Sequence, residues 1–111
     1  MHLFIFSPEE QSIDAMQTLN IEIKKVSDSN PDLETFQLES SIVIIDINSL
    51  KDMAFTLASK ISILKSKPRL ILGVTSADID SRGSKFDFFF QDFNEIVERF
   101  DEVKNRYEQV Q

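Results

Sequence analysis

The chain has 111 residues, of which 41% are hydrophobic, and this is enough for one domain with one core. Its formal net charge of −7, with no basic run longer than Lys24-Lys25, argues against direct binding of nucleic acid or of an anionic membrane. Cysteine is absent, which excludes disulfides and thiol chemistry and agrees with a reducing, cytoplasmic location, and no apolar stretch approaches the ~20 residues needed for membrane insertion.

Short apolar runs alternate with helical patterns in the first half of the chain. The predicted elements are a strand over 3–6, a helix from Ser7 to about Asn20, a strand over 21–26, a loop over 27–31 and a short helical segment over 32–39. The first helix has a capping pattern in Ser7-Pro8-Glu9-Glu10 and an apolar face of Ile13, Met16 and Leu19. In the short segment, the residues expected to face inward are Leu33, Phe36 and Leu38.

The second half begins with the strongest strand signal. Ser41–Ile47 contains four consecutive β-branched residues, Ile42-Val43-Ile44-Ile45, which predict a central strand buried on both faces. Ser49 with Asp52 marks a helix start, and Pro68 lies beyond its end. The residues that keep its helical period are Leu50, Met53, Ala54, Leu57, Ile61 and Leu64.

Two further strands and one long helix complete the pattern. A strand is predicted over 70–74 and another over Phe86–Phe90, with Phe86, Phe88 and Phe90 on one face. The segment over 77–85 between them is too short for a full helix with both connections. The final helix runs from about Phe93 to Val110. Alternating strands and helices predict a parallel sheet covered by helices on both faces, within a single domain over 1–111.

Three segments resemble the receiver domain of response regulators, the CheY-like family. Ser41–Asn48 is similar to the strand that ends in the phospho-accepting aspartate, which corresponds to Asp46. Leu70–Ser76 resembles the strand that presents the switch hydroxyl, here Thr75, and Asp87–Phe93 resembles the last strand. The resemblance implies a flavodoxin-like three-layer sandwich with five parallel strands in the order 2-1-3-4-5, and with the fourth helix shortened or absent.

The departures from that family concern its chemistry. An active receiver carries two acidic residues after the first strand, which hold a divalent ion with the phospho-acceptor, and those positions correspond to Ser7 and Pro8. The family's lysine corresponds to Gln91, and the following proline corresponds to Asp92. Asp46 is therefore either a phospho-acceptor or a solvated or capping carboxylate, and Thr75 with Ser76 is either a switch or an ordinary strand-end cap.

Aromatic residues at the last strand and the last helix suggest a contact surface. The residues assigned to this surface are Phe86, Phe88, Phe89, Phe90, Phe93, Phe100, Val103 and Tyr107. In the receiver arrangement the strand is an edge, so these phenylalanines are either core or an interface. The last helix also carries a heptad-like seam, and its end over 107–110 either begins a coiled coil beyond the core or is a frayed, solvated end.

The sequence thus predicts a degenerate receiver, a non-enzymatic signalling or scaffold module that acts through a protein partner or as a homodimer, independently of phosphate. It predicts no cofactor and no metal site. The first alternative is an atypical but active receiver of a two-component system, phosphorylated on Asp46 with Mg²⁺. The second is a small-molecule-binding regulatory domain with its ligand over the crevice between Asp46 and Thr75.

Overall fold

A computed structural model of the chain describes residues 2–7, 14–27, 32–33, 38–76 and 85–109. Its strands are β1 (His2–Phe6), β2 (Glu22–Val26), β3 (Ser41–Asp46), β4 (Leu70–Val74) and β5 (Phe88–Phe90). Its helices are a 3₁₀-helix (Ala15–Leu19), α1 (Ile47–Leu50), α2 (Asp52–Ser62), α3 (Phe93–Glu98) and α4 (Phe100–Gln109).

The five strands form one parallel sheet in the order β2-β1-β3-β4-β5. In the centre of the sheet Ile5 pairs with Ile44, and Ile44 pairs with Leu72. This arrangement confirms the predicted flavodoxin-like α/β fold and its strand order. Because all strands are parallel, their carboxyl ends meet at one edge, and that edge brings Ser7, Asp46 and Thr75 together.

The core consists of two apolar layers, one on each face of the sheet. All six residues of β3 are buried, as predicted for a central strand with helices on both faces. The layer under α2 contains Phe4, Phe6, Val43, Ile45, Ala54, Leu57, Ala58 and Ile61. The layer under the 3₁₀-helix, α3 and α4 contains Leu3, Ile5, Met16, Ile44, Leu72, Ile96, Phe100 and Val103.

The helix after β3 starts earlier than predicted, is interrupted once, and exposes one residue that the sequence placed in the core. It begins at Ile47 and not at Ser49, because the side chain of Asp46 caps it. Lys51 then interrupts it with a φ of 55°, a region that non-glycine residues rarely adopt. In the helix that follows, Ala54, Leu57 and Ile61 are buried as the period predicts. Met53, next to the break, is 48% exposed, although the period placed it in the core.

The aromatic strand is shorter than predicted, and one of its phenylalanines lies on the opposite face. Regular pairing begins at Phe88, because Asp87 bonds to Ile71 twice: its N–H donates to the Ile71 carbonyl, and its carboxylate accepts the Ile71 N–H at 2.9 Å. Phe86 therefore packs in the layer under α2, next to Phe89, with 5.2 Å between ring centroids. Phe88 and Phe90 face the other layer.

The final helix is divided at Arg99 into α3 and α4, and its end docks on the domain. The Tyr107 hydroxyl donates to the carbonyl of Ser40, and the Arg69 guanidinium lies 4.6 Å from the centre of the Tyr107 ring. Tyr107 is only 9% exposed. Tyr107 is therefore neither the start of a coiled coil beyond the core nor a frayed, solvated end, while Val110 lies outside the described residues.

Other sequence predictions fall outside the described residues. These are the helix start at Pro8, Glu9 and Glu10, the inward positions of Ile13 and Phe36, and the missing fourth helix, which concerns residues 77–84. Within the described parts of the chain, no helix has both the length and the apolar character needed to cross a bilayer.

Candidate functional site at the carboxyl edge of the sheet

Asp46 lies at the end of the central strand and is 4% exposed. Its Oδ2 atom accepts hydrogen bonds from the Ser7 and Ser49 hydroxyls, each at 2.8 Å, and its Oδ1 atom accepts the Ser49 N–H at 3.3 Å. The carboxylate thus serves as the N-cap of α1 and as the acceptor of two side-chain hydroxyls. These bonds satisfy a buried charged group, which would otherwise be costly.

Ser7 reaches Asp46 because β1 and β3 are adjacent. The Ser7 N–H donates to the Val26 carbonyl at 3.1 Å, which extends the pairing of β1 with β2 by one residue and fixes the backbone at the strand end. Ser7 is 1% exposed, so its hydroxyl is withdrawn from solvent. The structure therefore places a buried hydroxyl donor where the resemblance predicted one of the acidic positions of a receiver.

Asn48 joins the end of β4 to the start of α1. Its Oδ1 atom accepts the Ser76 N–H at 3.1 Å, and the Thr75 and Ser76 hydroxyls both lie 3.4 Å from it. Thr75 is 6% exposed, and its N–H donates to the Phe90 carbonyl at 2.8 Å. Thr75 and Ser76 thus act as strand-end hydrogen-bonding groups toward Asn48.

Gln91 and Asp92 lie at the exposed start of α3. The Gln91 N–H donates to Glu95 Oε1 at 3.0 Å, and the Glu95 N–H donates to Asp92 Oδ1 at 2.8 Å. These two bonds resemble a capping box and give Asp92 a role in helix initiation. A shallow depression of about 260 Å³ lies between this start and Asp46, lined by Asp46, Asn48, Ser49, Val74, Gln91, Asp92 and Phe93.

The sequence did not identify Ser49 and Asn48 as part of this edge. The sequence predicts that a helix starts at Ser49, whereas in the structure the Ser49 N–H and hydroxyl both donate to Asp46, three residues earlier. The spacing Asp-x-x-Ser is itself an N-cap pattern, so this signal was present in the sequence. The role of Asn48 depends on the approach of Ser76, and no local pattern predicts that approach.

The donor set around Asp46 does not fit the Mg²⁺ site of an active receiver. Mg²⁺ prefers carboxylate and water oxygens in an octahedral arrangement, whereas both oxygens of Asp46 accept hydrogens from serines. In the part of the chain that the structure describes, no three His, Asp or Glu side chains are grouped closely enough to hold a metal ion. Glu9 and Glu10 lie outside that part.

The predicted contact surface is narrower in the structure than in the sequence. Five of its residues are buried in the chain's own core, which corrects their assignment to a surface: Phe86, Phe90, Phe100, Val103 and Tyr107. Phe88, Phe89 and Phe93 are half-buried at the β5 edge and at the start of α3. Only these three have side-chain surface to offer a partner.

We compared the chain with protein-family models, with curated proteins and with solved structures, and none of the three comparisons gave a match.

Proposed function

We propose that the chain is a degenerate receiver-like signalling or scaffold module that acts by protein–protein contact and does not depend on phosphorylation of Asp46. The observation that carries this proposal is the hydrogen bond from the Ser7 hydroxyl to Asp46, at 2.8 Å and buried. It is a local arrangement in which the Asp46 carboxylate is satisfied by protein donors.

The charge on the side chain at position 7 decides whether Asp46 needs a cation beside it. A carboxylate at position 7 would face Asp46 across a buried gap, and two such groups repel unless a cation lies between them or one of them is protonated. A hydroxyl at that position donates to Asp46 and makes the cation unnecessary. Gln91 corresponds to the family's lysine, and because a glutamine side chain is uncharged it offers no positive charge to a phosphoryl group.

The contact surface of this proposal is the outer side of β5 with the start of α3. β5 is an edge strand, so among the described residues one side of its backbone has no neighbour in the sheet. Phe88, Phe89 and Phe93 are half-buried around it. An open edge with apolar side chains favours a protein partner or a second copy of the chain.

Substitutions at Ser7 test the role of its hydroxyl. We expect Ser7→Ala to lower the free energy of unfolding by about 1 kcal/mol, because one buried hydrogen bond is lost. We expect Ser7→Asp to lower it by about 2 kcal/mol, because a second buried carboxylate then faces Asp46. Urea unfolding with and without Mg²⁺ measures both, and Mg²⁺ is expected to restore stability to the Ser7→Asp variant alone.

The wild type and Ser7→Ala serve as the matched controls in this series, since neither adds a carboxylate. A Ser7→Asp variant as stable as Ser7→Ala would contradict the charge argument. A wild type that Mg²⁺ stabilises would show that a cation site already exists, and the first alternative, an active receiver, would then replace the proposal.

A further inference from the structure

Charge is distributed unevenly between the two outer layers of the domain. Although the chain carries a net charge of −7, the segment 51–69, which contains α2, has five basic residues and one acidic residue. The segment 92–109, which contains α3 and α4, has six acidic residues and three basic residues. The first segment therefore has a net positive charge and the second a net negative charge.

The basic residues are concentrated at the end of α2 and directly after it. Lys60, Lys65 and Lys67 are exposed, and none of them forms an ion pair or hydrogen bond within the described chain. Ile63 lies among them and is 82% exposed. We call Lys60, Ile63, Lys65 and Lys67 the basic patch. A single exposed isoleucine is ordinary, but one surrounded by unpaired lysines provides an apolar centre with a charged rim.

The acidic residues form a stripe along the outside of α3 and α4. The stripe is Asn94, Glu98, Asp101, Asn105 and Glu108, all exposed and recurring every three or four residues, so they share one side of the helices. Arg99 is occupied by Glu95 and Glu102 on a neighbouring side. The charged members of the stripe are Glu98, Asp101 and Glu108, and within the described residues none of the three forms an ion pair.

The helix that carries Lys60 and the helices that carry the acidic stripe lie on opposite faces of the sheet. α2 covers the apolar layer of Val43 and Ile45, whereas α3 and α4 cover the layer of Ile42 and Ile44. Within the described residues, no ion pair joins the patch to the stripe of the same copy. Two copies related by a twofold axis through either surface would place like charges against each other.

We propose that the basic patch of one copy of this chain docks on the acidic stripe of a second copy, in a head-to-tail arrangement. Charge complementarity selects a second copy as the occupant, because each copy carries both surfaces with unpaired charges of opposite sign. In this arrangement Lys60, Lys65 and Lys67 face the carboxylates of the stripe. This inference rests on the proposed function only in taking protein contact as the mode of action, and it uses a surface separate from the β5 edge.

Light scattering after size exclusion, at about 50 mM and about 500 mM salt, tests the proposal on the whole chain. We expect the wild type to gain mass with concentration at low salt and to be monomeric at high salt. Lys60→Glu/Lys65→Glu and Glu98→Lys/Asp101→Lys, each alone, are expected to associate about a hundredfold more weakly than the wild type, because like charges then meet. Mixed together, the two variants should associate, since the unchanged stripe of the first variant meets the unchanged patch of the second.

Lys104→Glu/Arg106→Glu is the matched control, because it changes net charge as much as the first variant and leaves the patch and stripe residues unchanged; it should still associate. Circular dichroism verifies that each variant is folded. A wild type monomeric at low salt, or two variants that do not combine, would overturn the proposal. If Phe88→Asp alone abolishes association, the β5 edge is the interface, and the head-to-tail inference fails while the proposed function stands.

Discussion

Replacing Asp46 with alanine is expected to lower the free energy of unfolding by about 3–4 kcal/mol, as measured by urea unfolding. The substitution removes the N-cap of α1 and leaves the Ser7 and Ser49 hydroxyls and the Ser49 N–H without their acceptor. A lost cap costs about 1 kcal/mol, and each buried donor left unpaired adds about 1–3 kcal/mol before the site relaxes.

Asp92 provides a matched control for this prediction. It is also an aspartate N-cap that accepts a backbone N–H three residues later, but it is exposed and receives no buried hydroxyl. Asp92→Ala should therefore cost about 1 kcal/mol, the value of the cap alone. Equal losses for Asp46→Ala and Asp92→Ala would show that the serine network around Asp46 contributes nothing to stability.

Replacing Tyr107 with alanine is expected to destabilise the fold by about 3 kcal/mol. The substitution removes a ring that packs in the layer under α4, the hydrogen bond to the Ser40 carbonyl and the stacking of Arg69 on the ring. Together these contacts attach the end of the last helix to the turn before β3 and to the residue before β4. Thermal and urea unfolding should both report the loss.

Tyr107→Phe separates the ring from the hydroxyl. It keeps the packing and loses the bond to Ser40, so a loss of about 1 kcal/mol is expected. If Tyr107→Ala left stability unchanged, the end of α4 would be a frayed or extended segment rather than a docked one. This pair of variants thus tests whether the end of the last helix is held on the domain by the Tyr107 ring and hydroxyl.

Most of the sheet could be predicted because β3 and β4 are strongly encoded. The run Ile42-Val43-Ile44-Ile45 has no polar position, so it fits only a strand that is covered on both faces. Alternation of such runs with helical patterns then fixes parallel pairing, and the resemblance to receivers supplies the strand order. Local composition and topology agree here, which is why the prediction succeeded.

The predicted directions of two side chains, Phe86 and Met53, are wrong because the backbone next to each departs from a regular strand or helix. Asp87 bonds to Ile71 and shifts the start of β5, which moves Phe86 to the other face, and no pattern within 86–90 reveals this. Met53 lies beside Lys51, which has a positive φ, and is exposed, while Ala54 and Leu57 are buried as the period predicts. In both places one side chain, Phe86 or Met53, departs from an otherwise correct pattern.

The last helix illustrates a limit of spacing arguments. Ile96, Phe100, Val103 and Tyr107 are spaced like a coiled-coil seam, but the same spacing suits a helix that packs on a sheet. In the structure all four are buried against the chain's own core. The unpaired charges of α2 and α4 were equally hard to foresee, because their significance depends on which face of the sheet each helix covers.

The central claim, that Asp46 is a structural carboxylate and not a phospho-acceptor, is tested most directly by intact mass measurement. The whole chain and the Asp46→Asn variant are incubated with acetyl phosphate and Mg²⁺, and their masses are then compared. We expect that neither protein gains a phosphoryl group. A phosphoryl group on the wild type that is absent from Asp46→Asn would show that Asp46 is a phospho-acceptor and that the chain is an active receiver.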